Sequence, residues 1–239
     1  MTIKPLENKD RLIIALLADN MKEAEATVKL LKGDVHTFEV SAPTYTALGP
    51  DVIKMIHHHG CRVYLDLKYH DIPSTVAKAV AAATKLGVAM LNVHASGGEE
   101  MLKRSVEAAR EAAGGKSKMP MIFGVTVLTS METLADIGVQ FEVREQVVRL
   151  ARLSHECGLH GVVASPLEIA PIRKACGDKF VIVTTGLRPI GSAAQDQRRI
   201  ASPIMAIAAG ADYLVIGRPV TQAKDPRAVV RQILKEIEA

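Results

Sequence analysis

The stretch RVYLDLKYHDIPSTVAKAVAAATKLG, residues 62–87, contains one complete repeat of the pattern on which this chain is built. RVYLDLK (62–68) reads as a strand, and PSTVAKAVAAATKLG has the apolar period of a helix and ends in Gly, the usual helix terminator. Strand, short loop and helix recur on either side. The predicted strands are RLIIALL (11–17), HTFEVS (36–41), RVYLDLK (62–68), AMLNVHA (89–95), MIFGVTV (121–127), HGVVAS (160–165), FVIVTT (180–185) and DYLVIG (212–217). Helical segments such as MKEAEATVKLL, GEEMLKRSVEAAREAAGG and REQVVRLARLSHECG lie between them. Eight strand-then-helix units without a composition break predict a single α/β domain over 1–239, a closed (β/α)8 TIM barrel. No GxGxxG follows the first strand, which argues against a dinucleotide-binding open sheet.

Composition agrees with that fold and narrows the function. Hydrophobic residues make up 48% of the 239 but aromatics only 3%, with no Trp, so the core must be built from Ala, Val, Ile and Leu, as suits parallel strands covered by helices. Aromatic stacking on nucleic acid is disfavoured. The net charge of +4 is spread along the chain without a basic tail and suits a small anionic ligand. Cys61, Cys157 and Cys176 are odd in number and outside any CxxC pattern, which predicts neither disulfides nor zinc and fits reduced thiols in the cytoplasm. No apolar run reaches roughly 18 residues, so no membrane span is expected.

Barrel enzymes place their chemistry at the C-terminal ends of the strands. Read in order, those ends offer Leu17, Glu39 with Ser41, Asp66 with Lys68, His94, Thr126 to Ser130, Ser165, Thr185 to Arg188, and Gly217 with Arg218. In YLDLKYHDIPST (64–75), Asp66 and Lys68 are two apart on a strand and share a face, with Asp71 just beyond. An ammonium between carboxylates can serve as a positioned general acid. IGRPVT (216–221) closes the eighth strand with a Gly before a helix start and an Arg able to grip phosphate. TTGLRPIGSAAQDQRR (184–199) is a long loop after strand seven that carries Arg188 and Gln197, in the manner of a lid. The HHHG run at 57–60 reads as a His-rich helix end closed by Gly60, and His94 as a hydrogen-bonded barrel-top residue. VHTFEVSAPTY (35–45) is the anomaly, because Glu39 places a carboxylate near the end of a strand whose other residues are apolar or small.

Five stretches in register, DLKYHDIPST, NVHASGG, VTVLTSM, TGLRP with DQRR, and GADYLVIGRPVTQAKDP, resemble the orotidine 5′-phosphate decarboxylase family across nearly the whole chain. The resemblance implies a cofactor-free, metal-free homodimeric barrel that converts orotidine 5′-phosphate to uridine 5′-phosphate in pyrimidine biosynthesis. It implies Lys68 as proton donor to the pyrimidine carbon, with Asp66 beside it and Asp71 reaching in from the partner subunit. Thr75, Thr129 and Ser130 would contact ribose or base. Arg188, Gln197, Gly217 and Arg218 would hold the phosphate.

Three barrel-top positions depart from that family's pattern. Leu17 stands where an Asp is usual, Glu39-Val40-Ser41 replaces Lys-Val-Gly, and Thr185 replaces Pro in TTGLRPIG. Leu17, Ala42 and Ile190 would make the pocket more apolar. The clustering looks like a pocket rebuilt for another purpose, by divergence or by engineering. Glu39, Asp66, Lys68 and Asp71 would carry about −2 if all were ionised, against neutrality in the family's usual array. Crowding should then raise a carboxylate pKa, that of Glu39 above all. The expected outcome is poor orotidylate decarboxylation. The alternatives are a different catalyst using Glu39 as general base or Lys68 as amine nucleophile, a Mg²⁺-dependent keto-sugar-phosphate lyase with Glu39 and Asp66 as ligands, and a non-catalytic nucleotide binder.

Overall fold

A computed structural model describes residues 7–115, 119–189 and 201–238. Eight strands, β1 (Leu12–Leu16), β2 (Thr37–Ser41), β3 (Arg62–Tyr69), β4 (Met90–His94), β5 (Met121–Val125), β6 (Gly161–Ala164), β7 (Val181–Thr184) and β8 (Tyr213–Ile216), pair in parallel in chain order. β8 closes on β1, so the sheet is the expected closed barrel. Each predicted strand is present, trimmed by one or two residues where the chain turns into a loop. The exception is β3, which runs one residue further, to Tyr69.

A one-turn helix, α1 (Asn8–Arg11), precedes β1, and helices follow every strand. They are α2 (Met21–Leu31), α3 (Ala42–Leu48) with α4 (Asp51–His58), α5 (Pro73–Lys85), α6 (Gly98–Ala113), α7 (Val143–Glu156), α8 (Ile169–Cys176), α9 (Pro203–Ala208), and α10 (Arg218–Thr221) with α11 (Pro226–Glu236). Local chemistry sets their starts. The Asn20 side chain accepts the Glu23 N–H at 3.0 Å ahead of α2, and Asp225 accepts the Ala228 N–H at 2.9 Å ahead of α11. Pro73, whose missing N–H costs nothing at a first turn, opens α5. The three consecutive histidines do end a helix, and Gly60 follows them at φ 74°.

Two cores share the strands. Ile13, Ala15, Tyr64, Met90, Phe123, Val125, Val163, Val183, Tyr213 and Val215 point inward and fill the barrel. A larger set of Val, Leu, Ile and Ala on the alternate positions packs against the helices. With so few aromatics, Tyr64 and Phe123 stand out as the bulk of the inner core, in edge contact at 6.2 Å between centroids. Gly161 is required by space, since a Cβ there would lie 1.9 Å from the Val181 carbonyl oxygen on the neighbouring strand.

The N-terminal rim of the barrel carries matched charges. Asp10 receives His36 Nδ1 at 2.9 Å and Arg62 Nη2 at 2.5 Å, and Asp34 receives Arg227 at 2.7 Å and Arg231 at 3.1 Å. Arg173 reaches the carbonyl of Gly210 and Asp212 Oδ2, the latter at 2.5 Å, and also the carbonyl of Phe180.

Candidate active site

The opposite rim is built from strand register. Glu39 lies beside Ala15 on β1 and Tyr64 on β3, and Ser41 lies beside Asp66. These inward positions bring Glu39 and Asp66 to the floor of one cavity, both nearly inaccessible at 5% and 7% exposure. Beyond Asp66 the regular alternation of β3 breaks. Its pairing with β4 jumps from Leu65↔Leu91 to Tyr69↔Val93, and Lys68 adopts φ 49°, the left-handed region that a lysine enters at a cost of about 1 kcal/mol or more. The irregularity keeps Lys68 beside Asp66, and its Nζ donates to both carboxylate oxygens, at 2.7 and 2.6 Å.

Sequence reasoning missed Asn92. This residue, fully buried on β4, accepts the Lys68 N–H through Oδ1 at 2.8 Å and donates from Nδ2 to Asp66 Oδ1 at 2.5 Å and to the Tyr64 hydroxyl at 2.7 Å. The available signal was a lone carboxamide in the apolar run MLNVH, on the same face as His94.

The cavity, about 270 Å³, is lined by Leu17, Glu39, Asp66, Lys68, Thr129, Thr185, Arg188, Gly217 and Arg218, with an apolar wall that includes Val125, Val163 and Val215. It thus gathers most of the residues expected from the sequence. Arg188 is buried, with its Nη1 on the Leu187 carbonyl at 2.9 Å. Gly217 caps α10, whose first residue is Arg218.

Other expected residues fall elsewhere. Asp71 and Thr75 are exposed and line a separate groove with His70, and that groove shares Lys68 with the cavity. Asp71 Oδ1 accepts the Ile72 N–H at 2.6 Å. Ser130, next to Thr129, is exposed. Ala42 is exposed as the first residue of α3, and Ser41 is half-buried with its Oγ unpaired; neither lines the cavity. Gln197, Ile190 and the DQRR stretch lie outside the described residues. His94 packs its ring against that of His70, 5.3 Å between centroids.

The electrostatics follow from two carboxylates sharing one cation. Burial pushes the Glu39 carboxyl well above the usual range, the negative charge of Asp66 and a hydrogen bond with Asp66 add to the rise, and Lys68 opposes it. The direction is the one expected from the sequence, although burial outweighs crowding. Asp66 accepts from both Lys68 Nζ and Asn92 Nδ2. Burial, followed by the charges of Asp66 and Glu39, also drives the Tyr64 phenol well above its ordinary value. Among the described residues, no group of three or more His, Cys, Asp or Glu side chains is placed to hold a metal ion, and no helix is long and apolar enough to cross a membrane.

A (β/α)8 barrel with a buried acid–base cluster and two arginines around one cavity at the C-terminal strand ends has the organisation of a barrel enzyme. The chain belongs to the orotidine 5′-phosphate decarboxylase / HUMPS family, which it matches over residues 10–233, and so to the carbon–carbon lyases. Relatives named orotidine 5′-phosphate decarboxylase include one from Syntrophotalea carbinolica, 48% identical with 98% of this chain and 97% of the relative covered. Another, from Moorella thermoacetica, is 50% identical over 96% of this chain and 93% of its own. The crystal structure of orotidine 5′-phosphate decarboxylase from Lactobacillus acidophilus superposes with a TM-score of 0.84 at 34% identity, covering 96% of this chain and all of that one.

Proposed function

We propose that the cavity binds a nucleoside monophosphate and that Lys68 is the acid of an orotidylate-type decarboxylation. In that reaction the bond from the pyrimidine carbon to the carboxylate breaks, CO₂ leaves, and the electron pair left on carbon takes a proton from the Lys68 ammonium. The phosphate would sit at Arg188, Gly217 and Arg218, with Gln197 from the following loop, and Thr129 and Ser130 would face ribose or base. The exposed groove holding Asp71 and Thr75 and opening on Lys68 is where a second subunit would complete the site, each Asp71 serving the neighbouring cavity of a cytoplasmic homodimer.

The observation that bears on the efficiency of this reaction is the buried Glu39 carboxyl next to Asp66, whose own cation is Lys68. A substrate that brings both a phosphate and a carboxylate meets two acidic groups and Leu17 at the end of the cavity where the resembled family offers a lysine and an aspartate. Native decarboxylation is therefore impaired while nucleotide binding persists. Titration with uridine 5′-phosphate beside a steady-state orotidylate assay tests both halves. Saturable nucleotide binding with turnover orders of magnitude below the ~10 s⁻¹ of a typical enzyme is expected, and turnover at ordinary rates would refute the impairment.

A second reading draws on the same Glu39. A carboxyl with a strongly raised pKa, 5% exposed and beside the apolar Leu17, is suited to exchanging protons with a neutral substrate as general base. Activity on such a substrate that is lost in Glu39→Gln and kept in Lys68→Ala would favour it.

A further inference from the structure

We propose that Asn92 is the positioning residue of this site, the group that fixes the place of Lys68 through both its backbone and its counter-ion. The proposal rests on the reading of Lys68 as proton donor and adds a residue that the reading does not contain.

The ladder between β3 and β4 is irregular at Lys68. Four steps along β3, from Leu65 to Tyr69, are matched by two along β4, from Leu91 to Val93, so the residues between have no regular ladder partners. A buried N–H left without an acceptor is costly. The Lys68 N–H is met by a side chain, with Asn92 Oδ1 at 2.8 Å. Asn92 thereby occupies the gap in its own strand's pairing and holds the backbone of Lys68 at φ 49°.

The other end of the same carboxamide acts on the counter-ion. Nδ2 donates to Asp66 Oδ1 at 2.5 Å, the oxygen that also receives Lys68 Nζ at 2.7 Å. Its second hydrogen goes to the Tyr64 hydroxyl at 2.7 Å. Backbone N–H is a donor only and an ionised carboxylate an acceptor only, so the orientation of the amide is forced, and both its hydrogens are used. Among side chains of this size only asparagine accepts once and donates twice in this way. Aspartate can take the Lys68 N–H but cannot donate to Asp66, and leucine can do neither. Asn92 does not itself line the cavity and acts on it through the lining residues Lys68 and Asp66.

Three variants separate positioning from mere support of the fold. In Asn92→Ala the Lys68 backbone amide should exchange with solvent at least tenfold faster by NMR. kcat for orotidylate should fall about 100-fold, with KM and uridine 5′-phosphate affinity within twofold of the parent. Asn92→Ser, smaller but still polar, serves if the alanine variant does not fold. Asn92→Asp keeps an acceptor, so the Lys68 amide should stay protected while kcat falls. Unchanged Lys68 exchange in folded Asn92→Ala or Asn92→Ser overturns the proposal, whether or not the parent turns over orotidylate. So does a loss of thermal stability with kcat intact. Equal orotidylate rates in the parent and in Lys68→Ala would instead overturn the reading of Lys68 as the acid, leaving the exchange result to decide the role of Asn92.

Discussion

The two rims of this barrel treat their carboxylates in opposite ways. At the N-terminal rim three acids are matched. Asp10 has His36 and Arg62, Asp34 has two arginines, and Asp212 has Arg173. Burial alone would raise the Asp10 carboxyl, but the hydrogen bonds and charges of His36 and Arg62 hold it below its usual value. At the C-terminal rim Glu39 is far more deeply buried than Asp10, and that burial, with the charge of Asp66, leaves it well above the usual range despite the opposing charge of Lys68. Carboxylates thus serve in clamps at one end and in an unbalanced cluster at the other. What differs is the depth of burial and the number of cations within reach, in line with the expected division of a barrel into a stabilising face and a working face.

The strongest way to break the contrast is to balance the upper rim. Leu17→Asp combined with Glu39→Lys restores the charges of the resembled family, and kcat/KM for orotidylate should rise at least about 100-fold, worth about 2.7 kcal/mol at the transition state. A double variant that folds and binds uridine 5′-phosphate yet gains no turnover would count against charge imbalance as a brake on the reaction.

Next comes the lower rim. Arg173→Ala strands Asp212 and several carbonyls, and should cost about 2–3 kcal/mol, seen as a fall in Tm of roughly 5–10 °C. Nucleotide affinity should be unaffected. Weakened binding in that variant would mean that the two rims are coupled.

The smallest effect concerns pH. Because the folded-state pKa of Glu39 lies above its ordinary 4.5, the folded chain retains a proton that the unfolded chain releases. Its stabilising contribution is fully present below that ordinary value and is lost as pH rises through the raised one. Glu39→Gln, surrounded by Asp66, Lys68 and Tyr64, removes this dependence. Relative to the parent it should become progressively more stable as pH rises across that window. Denaturant midpoints from pH 5 to 9 measure the gain, and parallel curves for the two proteins would count against a buried neutral Glu39.

Most of the fold was legible because a parallel barrel writes its strands as short runs of Val, Ile and Leu, and all eight runs were there to read. The ends were less so, since residues such as Leu17 and Ser165 continue the apolar or small pattern into the loop. At the site, D-x-K on a strand was enough to pair Asp66 with Lys68, and the odd carboxylate in TFEVS was enough to mark Glu39. Asn92 was not legible in this way. Its importance depends on a shift in register between β3 and β4, a relation between two segments that neither segment displays alone. Ala42 failed for a related reason: adjacency to Glu39 in sequence placed it in the pocket, but α3 begins at that residue and carries it to the surface.

The irregular pairing at Lys68 has an evolutionary consequence. The lysine's anchorage lies wholly within β3 and β4, whereas Leu17, Glu39 and Thr185 belong to β1, β2 and the end of β7. Lys68 is therefore held by a self-contained module, secured on one side of the barrel. The facing wall can be rewritten residue by residue, with each intermediate still presenting a positioned ammonium to whatever the new wall admits.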